Sequence, residues 1–201
     1  MLALYWRIIL LMAAALSFWH SIISLLFVKR NSFFVPAAYS CLWTTAGAFL
    51  SIRVPASDIP VTGQTLAVCL AALLFGRPAA TAGAVLYYIL AVSGAPILSG
   101  GRSGLSDASR GYVFSFTLCA LITATEPSRG VVHVLGRSAI AQFACATIGT
   151  AWSLRRGLLS NTAALQIGVR PFLPGLVVKS LVVATLGALA QTSLYNKTAQ
   201  F

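Results

Sequence analysis

Seven apolar segments, separated by short breaks rich in Arg, Pro and Gly, constrain the fold of this chain more than any other feature. The segments are residues 5–28, 35–53, 65–75, 79–95, 112–125, 131–154 and 174–194. Only 8% of the 201 residues are charged, whereas a soluble domain carries about 25%. Such a surface must face lipid, and segments of about 20 residues cross a bilayer as helices. The sequence therefore predicts an all-α integral membrane protein.

Several of these segments are short for a span, and three connections between them are long: residues 54–61, 96–111 and 155–171. If successive segments alternate in direction, these three connections share one side of the membrane. Irregular backbone at membrane depth is tolerated only where it is buried in protein or lines a cavity. The pattern therefore predicts one helical domain with a pocket on that side.

The charge is strongly positive, with 14 Lys and Arg against three acidic residues and a formal net charge of +11. In a soluble protein this would indicate nucleic acid, but here most cations lie in the breaks, where they anchor helices at the interface. We therefore expect no nucleic-acid partner. The long-connection side also carries cations that could attract a small anion. They are Arg102, Arg110, Arg155, Arg156 and Arg170.

Residues for catalysis or metal binding are scarce. The three acids are isolated from one another, the two histidines have no obvious partner, and no phosphate-binding Walker A motif occurs. The four cysteines lie inside apolar segments and are interpreted as packing residues. We therefore expect no metal, no cofactor and no enzyme activity. A membrane enzyme and a ligand-free membrane assembly protein remain the alternatives to a binding protein.

One lysine lies inside an apolar run, in the stretch PFLPGLVVKS of residues 171–180. A lysine at membrane depth costs about 2.5–3.5 kcal/mol on insertion scales. Lys179 could reach the interface with its long side chain, because it lies near the start of its segment. The alternative is a pocket in which an anion compensates its charge.

Four stretches carry a family resemblance. They are DIPVTGQTLAV (58–68) with the break LLFGRP (73–78), YYILAVSGAPILSGGRSG (87–104), SRGYVFSF (109–116) and PFLPGLVVKS. In order and spacing they resemble the BioY family, the biotin-binding membrane component (S component) of energy-coupling factor (ECF) transporters. The resemblance covers residues 38–194. It implies a six-transmembrane-helix bundle, multi-pass in the bacterial cytoplasmic membrane, with a biotin site built by the outer loops.

The resemblance also divides the chain and implies partners. Residues 33–201 correspond to the BioY-like transmembrane domain, and residues 1–32 are predicted to be an additional N-terminal apolar helix. The expected ligand is biotin. Because the chain contains no energy source of its own, the family implies a transmembrane coupling protein and a pair of cytoplasmic ATPases as partners, in addition to the lipid bilayer that surrounds the chain.

The resemblance points to particular residues for biotin contacts: Lys179, Arg102, Tyr112, Gln64, Gly101 and Gly111. Cationic groups suit a carboxylate, a glutamine can both donate and accept as a ureido partner should, and glycines let backbone approach a ligand. Tyr112 and Trp152 could form flat walls. Each also has a simpler interpretation: belt aromatics for Tyr112 and Trp152, a solvated loop residue for Arg102 and an interhelical bond for Gln64.

The sequence departs from the family pattern at two positions. Leu176 stands where the family usually has an acid, three residues before Lys179, and Arg110 stands where a glycine is common. Without that acid, Lys179 must be compensated by the ligand or by Asp58 or Asp107, which lie in connections of the same side.

Small residues recur every four positions on the segment 35–53, at Ala37, Cys41 and Thr45. Small residues at this spacing allow helices to approach closely. We interpret them as a packing surface for the coupling protein, with packing inside the bundle as the alternative.

Overall fold

The computed structural model describes residues 33–52, 60–124 and 130–198, with side chains up to residue 187. The α-helices are α1 (Phe34–Phe49), α2 (Gln64–Val92), α3 (Asp107–Phe114), α4 (Phe116–Thr123), α5 (Gly130–Arg155), α6 (Asn161–Ala163) and α7 (Leu173–Thr198). Strands β1 (Ser51–Ile52) and β2 (Val61–Thr62) pair antiparallel. The predicted helix at residues 5–28 lies outside the described residues.

Helix α2 is a hairpin rather than one straight helix. Gly76 has non-helical backbone angles, with φ +79°, a region that favours glycine because it has no Cβ. In a straight helix, 23 residues would separate Gln64 and Tyr87 by about 35 Å. Instead, the Gln64 side chain donates to the Tyr87 hydroxyl at 2.5 Å, so the two arms run antiparallel. This confirms the predicted break at Gly76-Arg77-Pro78.

Helices α3 and α4 form one bent helix that begins earlier than expected. The apolar pattern of the sequence predicts a start at residue 112, but the helix begins at Asp107. Ser106 caps it by accepting from the Ser109 backbone N–H at 3.3 Å, a common N-cap arrangement. Backbone bonds continue across Ser115, whose hydroxyl donates to the Tyr112 carbonyl at 2.6 Å.

The connection after α5 also differs from the prediction. Residues 155–171 were expected to be a long polar loop, but the chain is helical from Asn161 onwards. A π-helical turn (Ala164–Val169) and a 3₁₀ turn (Arg170–Phe172) lead directly into α7. Ser160 caps the start by accepting from the Ala163 N–H at 3.3 Å. A helix with a serine N-cap therefore begins in a stretch whose polar composition is typical of a loop.

The distribution of side chains is that of a membrane protein. Large apolar side chains point outward, such as Phe34 at 80% and Val132 at 83% exposed, whereas small residues such as Ala67 and Ala80 are fully buried. Among the described residues, three helices are long and apolar enough to cross a membrane: Gln64–Val92, Gly130–Arg155 and Asn161–Gly187. By its length, Gln64–Val92 could cross the membrane once as a straight helix, but the break at Gly76 divides it into two antiparallel arms.

Within the described residues, the helical segments that run along the bundle are α1, the two arms of α2, the bent α3–α4 helix, α5 and α7. This confirms the predicted all-α membrane fold with a six-helix core. Helix α1 packs against α2, and α5 packs against α7, with small residues at places of close approach. Gly83, for example, lies against the backbone of Ala37 and the side chain of Ser40.

The same packing favours the alternative interpretation, packing inside the bundle, for two of the three small residues on α1. Ala37 and Cys41 are 7% and 5% exposed, and the Thr45 hydroxyl donates to the Cys41 carbonyl of its own helix at 3.0 Å. Ala37 and Cys41 therefore pack inside this chain, whereas a contact between the half-buried Thr45 and a coupling protein stays a prediction.

Candidate functional site

An open cavity lies at one end of the bundle, where β2, the connection after α2 and the start of α7 meet. Its apolar lining includes Leu98, Val113, Phe116, Phe172 and Leu176. Its polar lining includes Thr62, Gln64, Thr65, Arg102, Gln142 and Lys179, and serines 99, 103, 106 and 109. Four of the predicted site residues, Lys179, Arg102, Tyr112 and Gln64, thus meet in one cavity, although they come from four different parts of the chain.

Lys179 is half-buried on the first turns of α7 and is held by uncharged acceptors. Its ammonium donates to the Thr65 hydroxyl at 2.7 Å and to the Thr62 carbonyl at 3.4 Å. Leu176, one turn earlier on the same helix, contributes an apolar side chain to the cavity. An ammonium has three N–H donors, so one remains for a group inside the cavity.

Among the described residues, no carboxylate pairs with Lys179. Asp107 instead binds Arg156 at 3.0 Å and Arg110 at 3.6 Å, and all three side chains are partly exposed. Asp107 therefore does not compensate Lys179, because its charge is already shared between two arginines, and this alternative is wrong. Asp58 lies outside the described residues.

Gln64, the first residue of α2, is the centre of a second polar cluster in the cavity wall. The Tyr87 hydroxyl donates to the Ile97 carbonyl at 2.8 Å, so it must accept from the Gln64 amide. The Gln64 carbonyl oxygen then accepts from the Thr62 hydroxyl at 2.8 Å. Gln64 is 6% exposed and lines the cavity. These contacts fix the orientation of its amide and leave one N–H of the amide for a ligand.

Arg102 lies at the rim of the cavity. It follows a tight turn in which Gly100 and Gly101 have φ of +69° and +76° and Leu98 bridges back to Arg102. Its Nε donates to the Ser99 carbonyl at 3.1 Å. Gly101 makes this turn and does not belong to the cavity lining; its contact with biotin stays a prediction.

Tyr112 forms part of the wall and is locked by three neighbours. Its hydroxyl lies 3.0 Å from both the Thr150 hydroxyl and the Gly168 carbonyl, and its ring stacks on Phe172 with centroids 5.4 Å apart. Gly149 of α5 lies directly under the ring, so close that a Cβ there would overlap it.

Gly111 and Trp152 serve packing between α3 and α5. A Cβ on Gly111 would overlap the Trp152 side chain, and the Trp152 indole donates to the Asp107 carbonyl at 3.0 Å. Neither residue belongs to the cavity lining. Gly111 is therefore explained by helix packing, and its predicted contact with biotin stays a prediction.

Sequence reasoning missed Thr62, Thr65 and Gln142. Gln142 is 4% exposed in the middle of α5, accepts from the Thr65 hydroxyl at 3.2 Å and donates to the Ser180 hydroxyl at 2.9 Å. The available signal was a neutral amide inside an apolar segment, since polar side chains at membrane depth usually mark a cavity or a partner.

These features define a class of protein: a helical membrane protein that holds a cavity for a small polar molecule at one end of its bundle. Among the described residues, no group of three or more His, Cys, Asp or Glu could hold a metal ion. Within this class, the chain belongs to the BioY family, whose sequence profile matches residues 20–196.

Two curated relatives support this assignment. The chain is 28% identical over 166 residues to the biotin transporter BioY of Rhizobium etli, covering 75% of this chain and 88% of that protein. It is 28% identical over 156 residues to the biotin transporter BioY2 of Lactococcus lactis subsp. cremoris, covering 72% of this chain and 85% of the relative.

The fold also resembles a solved structure, the crystal structure of the S-component for biotin from an ECF-type ABC transporter. The TM-score is 0.68 with 19% identity, and the match covers 78% of this chain and 88% of the other. At this identity the likeness concerns the fold, which it confirms as that of an S component.

Proposed function

We propose that this chain binds biotin and is the substrate-specific component of an ECF-type transporter. The observation that carries the proposal is the cavity of a BioY-family chain in which the Lys179 ammonium has neutral acceptors but no carboxylate among the described residues. Removing a charge from water without a counterion is strongly unfavourable. A ligand that brings its own anion resolves this, and biotin has a carboxylate.

The remaining lining matches the other parts of biotin. The ureido group needs donors and acceptors close together, which Gln64, Thr62 and the serines of residues 99–109 supply. The valeryl chain and thiophane ring need apolar walls, which Leu98, Val113, Phe116, Phe172 and Leu176 supply. The arrangement suits the binding of a small molecule, and the described part of its lining offers no set of residues for bond cleavage.

A transporter is better supported than either alternative. Both curated relatives are named as biotin transporters, which argues against a membrane enzyme. A ligand-free assembly protein would have no need of a polar cavity around a lysine. We further propose that the chain resides in a bacterial plasma membrane and works with a transmembrane coupling protein and a pair of cytoplasmic ATPases.

Uptake by a bacterial biotin auxotroph tests the proposal. The strain should lack its own biotin transporter and express this chain with or without a coupling protein and ATPase pair. We expect growth on low biotin when all components are present. Absence of growth with every coupling set tried, from a chain that is present in the membrane and folded, would contradict the transport role.

A further inference from the structure

We propose that Gln142 is a positioning residue that acts through Thr65 to aim the Lys179 ammonium into the cavity. The inference rests on the proposed function and extends it to residues that the sequence did not single out. Gln142 lies on α5, Thr65 on α2, and Lys179 and Ser180 on α7. One line of hydrogen bonds therefore connects three helices around the cavity.

The direction of every bond in this line follows from its first member. An ammonium can only donate, so the Thr65 hydroxyl accepts from Lys179 at 2.7 Å. The single proton of that hydroxyl is then given to the Gln142 carbonyl oxygen at 3.2 Å. With its oxygen turned to Thr65, Gln142 presents its NH₂ group to the Ser180 hydroxyl at 2.9 Å. The amide thus keeps the Thr65 lone pairs facing Lys179.

The line orients the lysine without neutralising it. A carboxylate partner would both hold the ammonium and cancel its charge, whereas hydroxyl and amide groups hold it and leave the charge for an anion in the cavity. Gln142 and Ser180 are 4% and 1% exposed, so water does not compete for these bonds. Here the position one turn before Lys179 is the apolar Leu176, and the neutral line supplies the orientation instead.

A double-mutant cycle on biotin affinity tests this role. Gln142→Leu removes the acceptor for Thr65, Thr65→Val removes the link itself, and the two are combined in the full-length protein. Each single change should weaken biotin binding about three- to tenfold, the range of one neutral hydrogen bond. Because Gln142 acts through Thr65, the double variant should bind no more weakly than Thr65→Val alone.

Matched controls separate positioning from general packing. Ser138→Ala removes a buried hydroxyl on the same helix that donates to the Leu135 carbonyl at 3.0 Å, and it should leave affinity unchanged. If Gln142→Leu is poorly folded, Ser180→Ala in the same cycle with Thr65→Val probes the outer link and should again be non-additive.

The outcomes divide clearly. Unchanged affinity in Gln142→Leu, or multiplied losses in the double variant, overturn the positioning role and leave the proposed function standing. A wild-type protein that binds no biotin overturns both. Losses in the single variants without further loss in the double variant, with Ser138→Ala unchanged, support the inference.

Discussion

Replacing Lys179 by methionine removes the charge from the cavity and keeps most of the bulk of the side chain. The structure predicts little cost to the fold. No described carboxylate would be left unpaired. The Thr65 hydroxyl loses its 2.7 Å bond from Lys179 but keeps its bond to Gln142, and the Thr62 carbonyl loses one long contact of 3.4 Å. The change in unfolding free energy should stay within about 1 kcal/mol, because the two lost bonds are offset by removing an ammonium that has no counterion among the described residues.

The cost to ligand binding should be much larger. The third N–H of the ammonium is available to the ligand, and a hydrogen bond to a charged group contributes about 1.5–3 kcal/mol. At about 1.4 kcal/mol for each tenfold change, Lys179→Met should weaken biotin binding about 10- to 150-fold.

Isothermal titration of biotin into the purified protein in detergent measures this directly, with thermal unfolding recorded on the same samples. Arg155→Met is the matched control, because it removes an exposed cation that is not part of the cavity lining. If the Lys179→Met dissociation constant stays within about twofold of wild type, Lys179 does not bind the ligand and instead reaches the interface as a surface lysine.

Two further predictions concern the rim and the wall of the cavity. Arg102→Ala should weaken biotin binding about tenfold, or 1.4 kcal/mol, and Arg155→Ala should leave it unchanged; equal small effects in the same titrations would remove Arg102 from the site. Gly149→Ala should lower the thermal midpoint and weaken binding, because the new Cβ overlaps Tyr112 and overpacking costs about 1–3 kcal/mol. Gly136→Ala on the same helix meets nothing within 4 Å and should not destabilise; an equal loss in both would refute the contact.

The fold could be predicted where composition and breaks decide it. Apolar segments located the helices, and Gly76 followed by Arg77 and Pro78 marked the turn of the α2 hairpin. The start at Asp107 and the helix from Asn161 were missed because both lie in polar stretches. Ser106 and Ser160 cap these helices, but a serine before a polar run is equally typical of a loop.

The cavity could be predicted only in part. The family resemblance identified Lys179, Arg102, Tyr112 and Gln64, and the structure brings all four to one cavity. Thr65 and Gln142 were not predicted, because their contact joins residues 77 positions apart and depends on how α2 packs against α5. No local sequence pattern indicates a contact between residues so far apart in the chain.

The packing role of the small residues on α1 could not be predicted from the sequence. Spacing alone could not tell whether Ala37 and Cys41 pack against a partner or inside the chain, because both surfaces require small side chains. In the structure, α2 packs against α1, and Ala37 and Cys41 are therefore buried inside the chain. Gly111 is a similar example, since a glycine that admits Trp152 looks in sequence like one that admits a ligand.

The most direct test of biotin as the ligand is equilibrium binding of radiolabelled biotin to the purified wild-type chain, without any coupling protein. The structure predicts saturable binding of one biotin per chain, displaced by unlabelled biotin. A folded, monodisperse protein that shows no saturable binding would contradict the assignment of this cavity to biotin.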